Sequence, residues 1–214
     1  MSALAPLQQL LEGAAALGVG LDARQAAQLL QLGDELIAWN RNVNLTALDT
    51  PALVLTHHLL DSLSVAPFIQ GTRVADVGTG GGFPGLPLAL LQPQRQFVLI
   101  DSVAKKLRFV EHAAQRLGLT NVQCVHARVE ALQLPPFDTV VTRAFAPLPR
   151  LLQWVAPLCG AQTCVLAMKG RWPPLPDADD AGALPPGWVL QSVQPVSVPG
   201  LEAARHILTL YRAT

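Results

Sequence analysis

One acid and a run of glycines carry the densest chemistry in this 214-residue chain. Asp76, Gly78, Gly80, Gly82 and Gly85 all fall within "RVADVGTGGGFPG", residues 73–85. Gly80, Gly82 and Gly85 fit G-x-G-x-x-G, in which glycines let backbone N–H groups come close to a ligand. Such a match has weight only in context: a strand before it, a helix after it and an acid about 20 residues on. Here "RVADV" reads as the strand, Pro84 suits a first helical turn, and Asp101 ends the next strand-like run, 19 residues beyond Gly82. That combination is the pattern of a nucleotide-type cofactor site, with Asp101 placed to accept the ribose hydroxyls.

Asp76 separates the cofactor types. A carboxylate beside the loop opposes a dianionic pyrophosphate. It is compatible with S-adenosylmethionine, which has an ammonium and a sulfonium and no phosphate. Arg143 follows the strand-like run "FDTVVT", at the edge where sheets of this kind place ligands. Two readings fit it: a ligand-contacting group at that edge, or a helix-start arginine in a salt bridge. Metal chemistry is not indicated. His57 and His58 are adjacent, so on a helix they diverge by about 100°. Cys124, Cys159 and Cys164 form no CxxC pair and read as reduced, mostly buried thiols.

These groups need a framework, and its pattern changes near residue 70. The first part is helical. Leu4, Leu7, Leu11, Ala14 and Leu17 recur at helical spacing up to Gly18, and Asp22 with Gln25 forms a capping-box start. Thr50-Pro51 reads as an N-cap followed by proline at N1, opening a helix with Leu53, His57, Asp61 and Ser64 on one side. From Arg73 short apolar runs alternate with helical stretches, the signature of a parallel sheet with crossover helices. The helix after "QFVLI" is expected to start at Ser102 as N-cap and stop at Gly118. "RWPPLPDADDAGALPPGW" reads as a loop. The last two runs, "WVLQSVQPVSV" and "HILTLY", are joined by a link too short for a crossover helix, so they should pair antiparallel. The expected fold is therefore α/β: a Rossmann-like sheet, mostly parallel with an antiparallel last strand, behind an N-terminal helical extension. The expected division is residues 1–70 for the extension and 71–214 for a single compact unit.

Half of the residues are hydrophobic and 14% charged, which describes a filled core and not a disordered chain. No apolar run reaches a membrane span, and the N-terminus lacks the basic start of a signal peptide, so the expected location is cytoplasmic. Net charge is zero but unevenly spread. Residues 73–171 carry eleven basic and five acidic side chains, between ends that are each net acidic. A basic middle can meet phosphates through a local patch, or can be an ordinary solvated surface.

"VADVGTGGG" resembles motif I of the class I S-adenosylmethionine-dependent methyltransferases. The wider set, "WNRNVNLTAL", "HHLLDSL", "DVGTGGGFPGLPLAL", "LIDSVAKKLRFV", "ARVE", "TRAFAPL", "MKG" and a late "RH", resembles the RsmG (GidB) family from about Trp39 to Tyr211. That resemblance implies transfer of a methyl group from S-adenosylmethionine to guanine N7 in 16S ribosomal RNA, within the small subunit or an assembly intermediate. It implies a cofactor site of Asp76, Gly78, Gly80, Gly82, Phe83, Asp101, Arg128, Val129, Glu130 and Arg143, with Arg143 also catalytic. It implies RNA contacts from Asn44, His58, Lys169, Arg171 and Arg205. No metal, no membrane and a monomer are expected. Asn40, Thr46, Asp61 and Ser62 are as readily helix caps and fasteners as substrate groups, and for Asp61 the fastening role is preferred. Two departures stand out: glycine at the loop's middle position where many relatives have proline, and His57 where relatives often have arginine. Three other readings stay open: another RNA or a small-molecule acceptor, a dinucleotide-dependent oxidoreductase, and a non-enzymatic RNA-binding module.

Overall fold

In a computed structural model, residues 5–173 and 184–213 are described. Seven strands form one sheet in the order β3-β2-β1-β4-β5-β7-β6. They are β1 (Arg73–Val77), β2 (Gln96–Asp101), β3 (Val122–His126), β4 (Phe137–Arg143), β5 (Cys159–Lys169), β6 (Trp188–Val196) and β7 (Arg205–Arg212). β1 to β5 pair in parallel, and β7 lies antiparallel between β5 and β6. The antiparallel ending expected from the short link is thus present. The link is too short to carry the chain back across a sheet face.

Side chains alternate across the sheet and fill two cores. Val74, Phe97, Leu99, Val141 and Leu166 face the helices α1 (Pro6–Ala16), α2 (Ala23–Val43), α5 (Gly85–Leu91) and α6 (Ala104–Arg116). Ala75, Val77, Val98, Ile100 and Val140 face α7 (Leu148–Val155). With both faces covered, β1 and β2 are buried over nearly their whole length, as two-sided packing requires, while the edge strand β3 is only partly buried.

The helix ends follow local chemistry in most places. Asp22 accepts from Gln25 N at 2.7 Å and Gln25 Oε1 accepts from Asp22 N at 3.1 Å, a complete capping box. Thr50 caps a helical turn, α3 (Pro51–Val54). The chain then departs from the expected regular helix: Leu55–Leu60 is a π turn, and α4 (Asp61–Leu63) follows it. A π turn interrupts the i→i−4 ladder and rotates what comes after it. Consequently Asp61 and Ser64 are buried while His57 stays half-buried. Two smaller corrections concern α5 and α6. Pro84 precedes α5 as its N-cap and is not inside the first turn. α6 is capped by Val103, without a side-chain bond, and not by Ser102: Asp101 Oδ1 accepts from Val103 N at 2.8 Å, an Asx turn that encloses Ser102, and the helix starts after it. No helix among the described residues is long and apolar enough to cross a membrane.

Candidate functional site

Sheets of this type bind ligands beyond the carboxyl ends of the strands, where the strand order reverses. Here that point lies between β1 and β4. The glycine loop leaves β1 there. Gly78 N and Thr79 N donate to Ile100 O at 2.9 and 3.1 Å, tying the loop to β2. Gly78 and Gly80 adopt φ of +71° and +58°, which L side chains rarely tolerate. A Cβ on Gly78 would also run into the Phe145 ring. Asp101 Oδ2 accepts from Gly80 N at 2.8 Å, so the acid at the tip of β2 and the loop hold each other.

A cleft of about 310 Å³ opens beside this loop. Of the residues the resemblance implied, Gly78, Asp101, Arg128, Val129 and Glu130 line it. Val129 is a buried apolar wall; Arg128 and Glu130 stand at the rim, 3.9 Å apart. Ile100, Phe145 and Trp154 complete the walls, with Phe145 and Trp154 edge to face at 5.7 Å. Phe145 lies in "TRAFA", two residues after Arg143, and its proximity to a strand end was the only sequence signal for it.

Three of the implied cofactor residues turn out to act from behind the cleft. Asp76 is fully buried, and its Oδ2 accepts from Thr79 Oγ1 at 2.6 Å and Gly85 N at 2.8 Å. It braces the loop from inside because that is where the loop's free donors point. Burial pushes its carboxyl up to about 6, partly offset by those two donors. Its Oδ1 is buried and has no partner among the described residues. Gly82 is a packing glycine: a Cβ there would meet Leu86 at 2.5 Å and Val110 at 3.4 Å. Phe83 is buried and faces the other way, 5.0 Å from the His58 ring.

Beyond Phe83 lies a second cavity of about 350 Å³, lined by His57, His58, Asp61, Arg143, Lys169 and Arg205 among others. Arg143 ends β4, so it is not a helix-start residue. Its Nη1 donates to Asp61 Oδ2 and His57 O, both at 2.9 Å, and its Nη2 meets His58 Nδ1 at 3.2 Å. Arg205, the first residue of β7, donates Nε to Asp61 Oδ1 at 2.9 Å. His58 Nε2 lies 2.9 Å from Thr46 Oγ1. Asn40 in turn holds the backbone of Leu45 and Thr46. Burial, with the positive charge of Arg143 and of His57, pushes His58 down to about 3. His58 is therefore neutral at pH 7, its Nδ1 accepting from Arg143 and its Nε2–H donating to Thr46.

The implied RNA residues divide accordingly. His58, Lys169 and Arg205 converge on the second cavity. Lys169 also donates to Ala146 O at 3.0 Å. Arg171 is exposed just past β5. Asn44 stands apart: it is the left-handed C-cap of α2, φ +52°, with its N–H bonded to Asn40 O. The basic middle of the sequence is likewise not one patch. Arg73 and Arg95 sit at the opposite ends of β1 and β2, bonded to the carbonyls of Pro136 and Gly71, and Arg116 pairs with Glu35 on α2 at 3.1 Å. No group of three potential metal ligands occurs among the described residues. Burial pushes the Cys159 thiol up to about 12 and Cys124 up to about 11, away from nucleophilic thiolate chemistry.

The chain matches the family model described as "GidB: rRNA small subunit methyltransferase G" over residues 25–208. It is 42% identical to ribosomal RNA small subunit methyltransferase G of Azoarcus sp., covering 99% of this chain and 100% of that one. It is 45% identical to the protein of the same name from Pseudomonas syringae pv. tomato, over 96% of each chain. Among solved structures it is similar to TrmN from Thermus thermophilus, with a TM-score of 0.56 and 24% identity over 81% of this chain and 53% of that one. A SAM-dependent methyltransferase from Aquifex aeolicus also has a TM-score of 0.56, at 17% identity over 78% of this chain and 97% of that one. These last two likenesses concern the fold, which is that of the class I methyltransferases.

Proposed function

The chain belongs to the GidB family of ribosomal RNA small subunit methyltransferases, and from that premise we propose how its two cavities divide the work. The enzyme transfers a methyl group from S-adenosylmethionine to N7 of a specific guanine in 16S ribosomal RNA. The cleft beside the glycine loop takes the methyl donor; the cation-lined cavity beyond Phe83 takes the target nucleotide. The observation that carries this reading is the contrast in charge across one loop. At the cleft Asp101 and Glu130 outnumber Arg128, and at the other cavity Arg143, Lys169 and Arg205 outnumber Asp61.

The cleft fits the proposed donor. Asp101 and Glu130 at the cleft, with Asp76 buried behind the loop, would oppose a pyrophosphate and suit an ammonium. Asp101 would accept from the ribose hydroxyls, while Ile100, Val129, Phe145 and Trp154 would enclose the adenine. When bound, S-adenosylmethionine supplies an activated methyl group. Guanine N7 has an in-plane lone pair and no proton, so the chain need not provide a general base. Its task is to orient the base and exclude water. His58, held neutral, is suited to that environment as an acceptor for Arg143 and not as a proton donor. Arg143 borders the junction through Phe83, with its guanidinium 5.8 Å from that ring, and steers the acceptor electrostatically. The substrate is a small subunit or an assembly intermediate, and the enzyme works in the cytoplasm as a monomer without a metal.

The test is transfer of labelled methyl from S-adenosylmethionine to small subunits from cells lacking this activity, with nucleoside mass spectrometry. We expect one 7-methylguanosine per 16S RNA, and for Arg143→Ala a loss of about 10²-fold or more, the scale of removing a positioned donor. A product in another RNA or a small molecule instead would redirect the acceptor assignment and leave the donor cleft standing.

A further inference from the structure

Two guanidinium groups from strands far apart in sequence converge on a single carboxylate. Arg143 Nη1 donates to Asp61 Oδ2, and Arg205 Nε to Asp61 Oδ1, each at 2.9 Å. The Asp61 side chain is only 3% exposed. A buried carboxylate is tolerated where both oxygens are paired, and here each oxygen has its own arginine. The bonds also fix which edges of the arginines are engaged. Arg143 uses Nη1 for Asp61 and His57 O, and Nη2 for His58. Arg205 uses Nε for Asp61 and Nη1 for Ala204 O. Among the described residues nothing accepts from Arg205 Nη2. Arg205 is 24% exposed and lines the cation-bearing cavity beside Lys169.

One carboxylate also resolves an electrostatic conflict. Two cations at the mouth of one cavity repel each other. A shared, desolvated carboxylate lets both stay, and leaves the trio with one net positive charge facing the cavity. Asp61 reaches both arginines from the residue directly after the π turn, with its side chain buried.

We propose that Asp61 is a positioning residue for RNA binding: it holds Arg205 so that its unengaged Nη2 edge meets a phosphate of the target nucleotide, while the same carboxylate keeps Arg143 at the base. This rests on the ribosomal RNA reading above. Arg205 is then a phosphate anchor that works only when Asp61 orients it.

The test is a double-mutant cycle on small subunits, reading KM, kcat and salt dependence. Arg205→Ala is expected to raise KM for subunits about tenfold and to lower the slope of log binding against log salt by about one, the signature of one lost phosphate contact. Asp61→Asn is expected to reproduce that KM rise, and to lower kcat as well through Arg143. The doubly substituted protein is expected to show no further rise in KM over Asp61→Asn alone, because the two residues act as one unit. KM effects that multiply would overturn the proposal, since a carboxylate that merely fastens a helix to the sheet would act independently of Arg205. If Asp61→Asn does not fold, Arg205→Ala decides alone: an unchanged KM and salt slope overturn the proposal. Wild-type protein that binds S-adenosylmethionine yet methylates no subunit RNA would overturn the functional reading itself. A wild-type active enzyme with additive variants would overturn only the role of Asp61.

Discussion

The cleft beside the glycine loop and the cation-lined cavity lie on the same edge of the sheet, yet they are built by different means. The cleft is largely a backbone construction: glycines at positive φ, loop N–H groups tied to Ile100 O, and one acid, Asp101, closing the turn. Its parts come from short stretches following β1, β2, β3 and β4, with Trp154 from α7. The other cavity is a side-chain construction. Asp61, Arg143 and Arg205 are 82 and 144 residues apart in their two pairings, and His58 and Thr46 join them from the helical part of the chain. A backbone site tolerates little change in shape, and a side-chain site tolerates little change in charge.

That difference can be broken at its strongest point first. Gly85→Ala would place a Cβ 2.6 Å from Asp76 Oδ2 and 2.8 Å from Leu99 Cγ, inside the brace that supports the loop. We expect a loss of about 2–3 kcal/mol by chemical denaturation, at the upper end of overpacking effects. An alanine accepted at no cost would mean the loop has slack and the contrast in shape tolerance is wrong.

Asp101→Ala comes next. It removes the acceptor for Gly80 N and Val103 N and the group assigned to the ribose. Affinity for S-adenosylmethionine by calorimetry should fall about 10- to 100-fold, as for charged hydrogen bonds of about 1.5–3 kcal/mol. KM for subunits should follow much less, because the other cavity is held by its own ion pairs.

The smallest net effect is in pH dependence, where the two regions should oppose each other. His58 is held down to about 3 from an ordinary 6.5, so its contribution to stability is full above pH 6.5 and is lost as pH falls toward 3. Asp76 is pushed up to about 6 from 3.8, so its contribution improves as pH falls from 6 toward 3.8. Between pH 6 and 5 the two offset each other. His58→Gln should therefore lose less stability on acidification than the wild type, and Asp76→Asn should lose more. Identical slopes for all three proteins in urea unfolding would show that neither group governs the acid response.

Much of the framework was legible because its signals are local. The capping box at Asp22 and Gln25, the stops at Gly18 and Gly118, and the alternation of strand and helix from Arg73 each depend on neighbours a few residues away. So does the antiparallel ending, which follows from the length of one link. Ser102 is not the cap because it lies inside the Asx turn that Asp101 makes with Val103 N, and the helix starts after that turn. The π turn was not legible, because "LTHHLL" has a helical sequence with no local mark of a wider ladder, and the helices it packs against, α1 and α2, come from earlier in the chain. Asp76 was legible as an acid beside the loop, but the direction of its carboxylate depends on where Thr79 and Gly85 fold back.

By itself the sequence determined the sheet, the loop and the family, since spacing along the chain fixes φ requirements, periodicity and the order of motifs. Only the tertiary structure decided which of the basic residues act together. Arg73, Arg95 and Arg116 share the basic stretch with Arg143, yet they end at the far side of the sheet or in a pair with Glu35. Arg205, from an acidic end of the sequence, arrives beside Arg143 because β7 enters the sheet next to β5. Charges interact through space over a few ångströms, and the chain must fold before distance along it becomes distance across it.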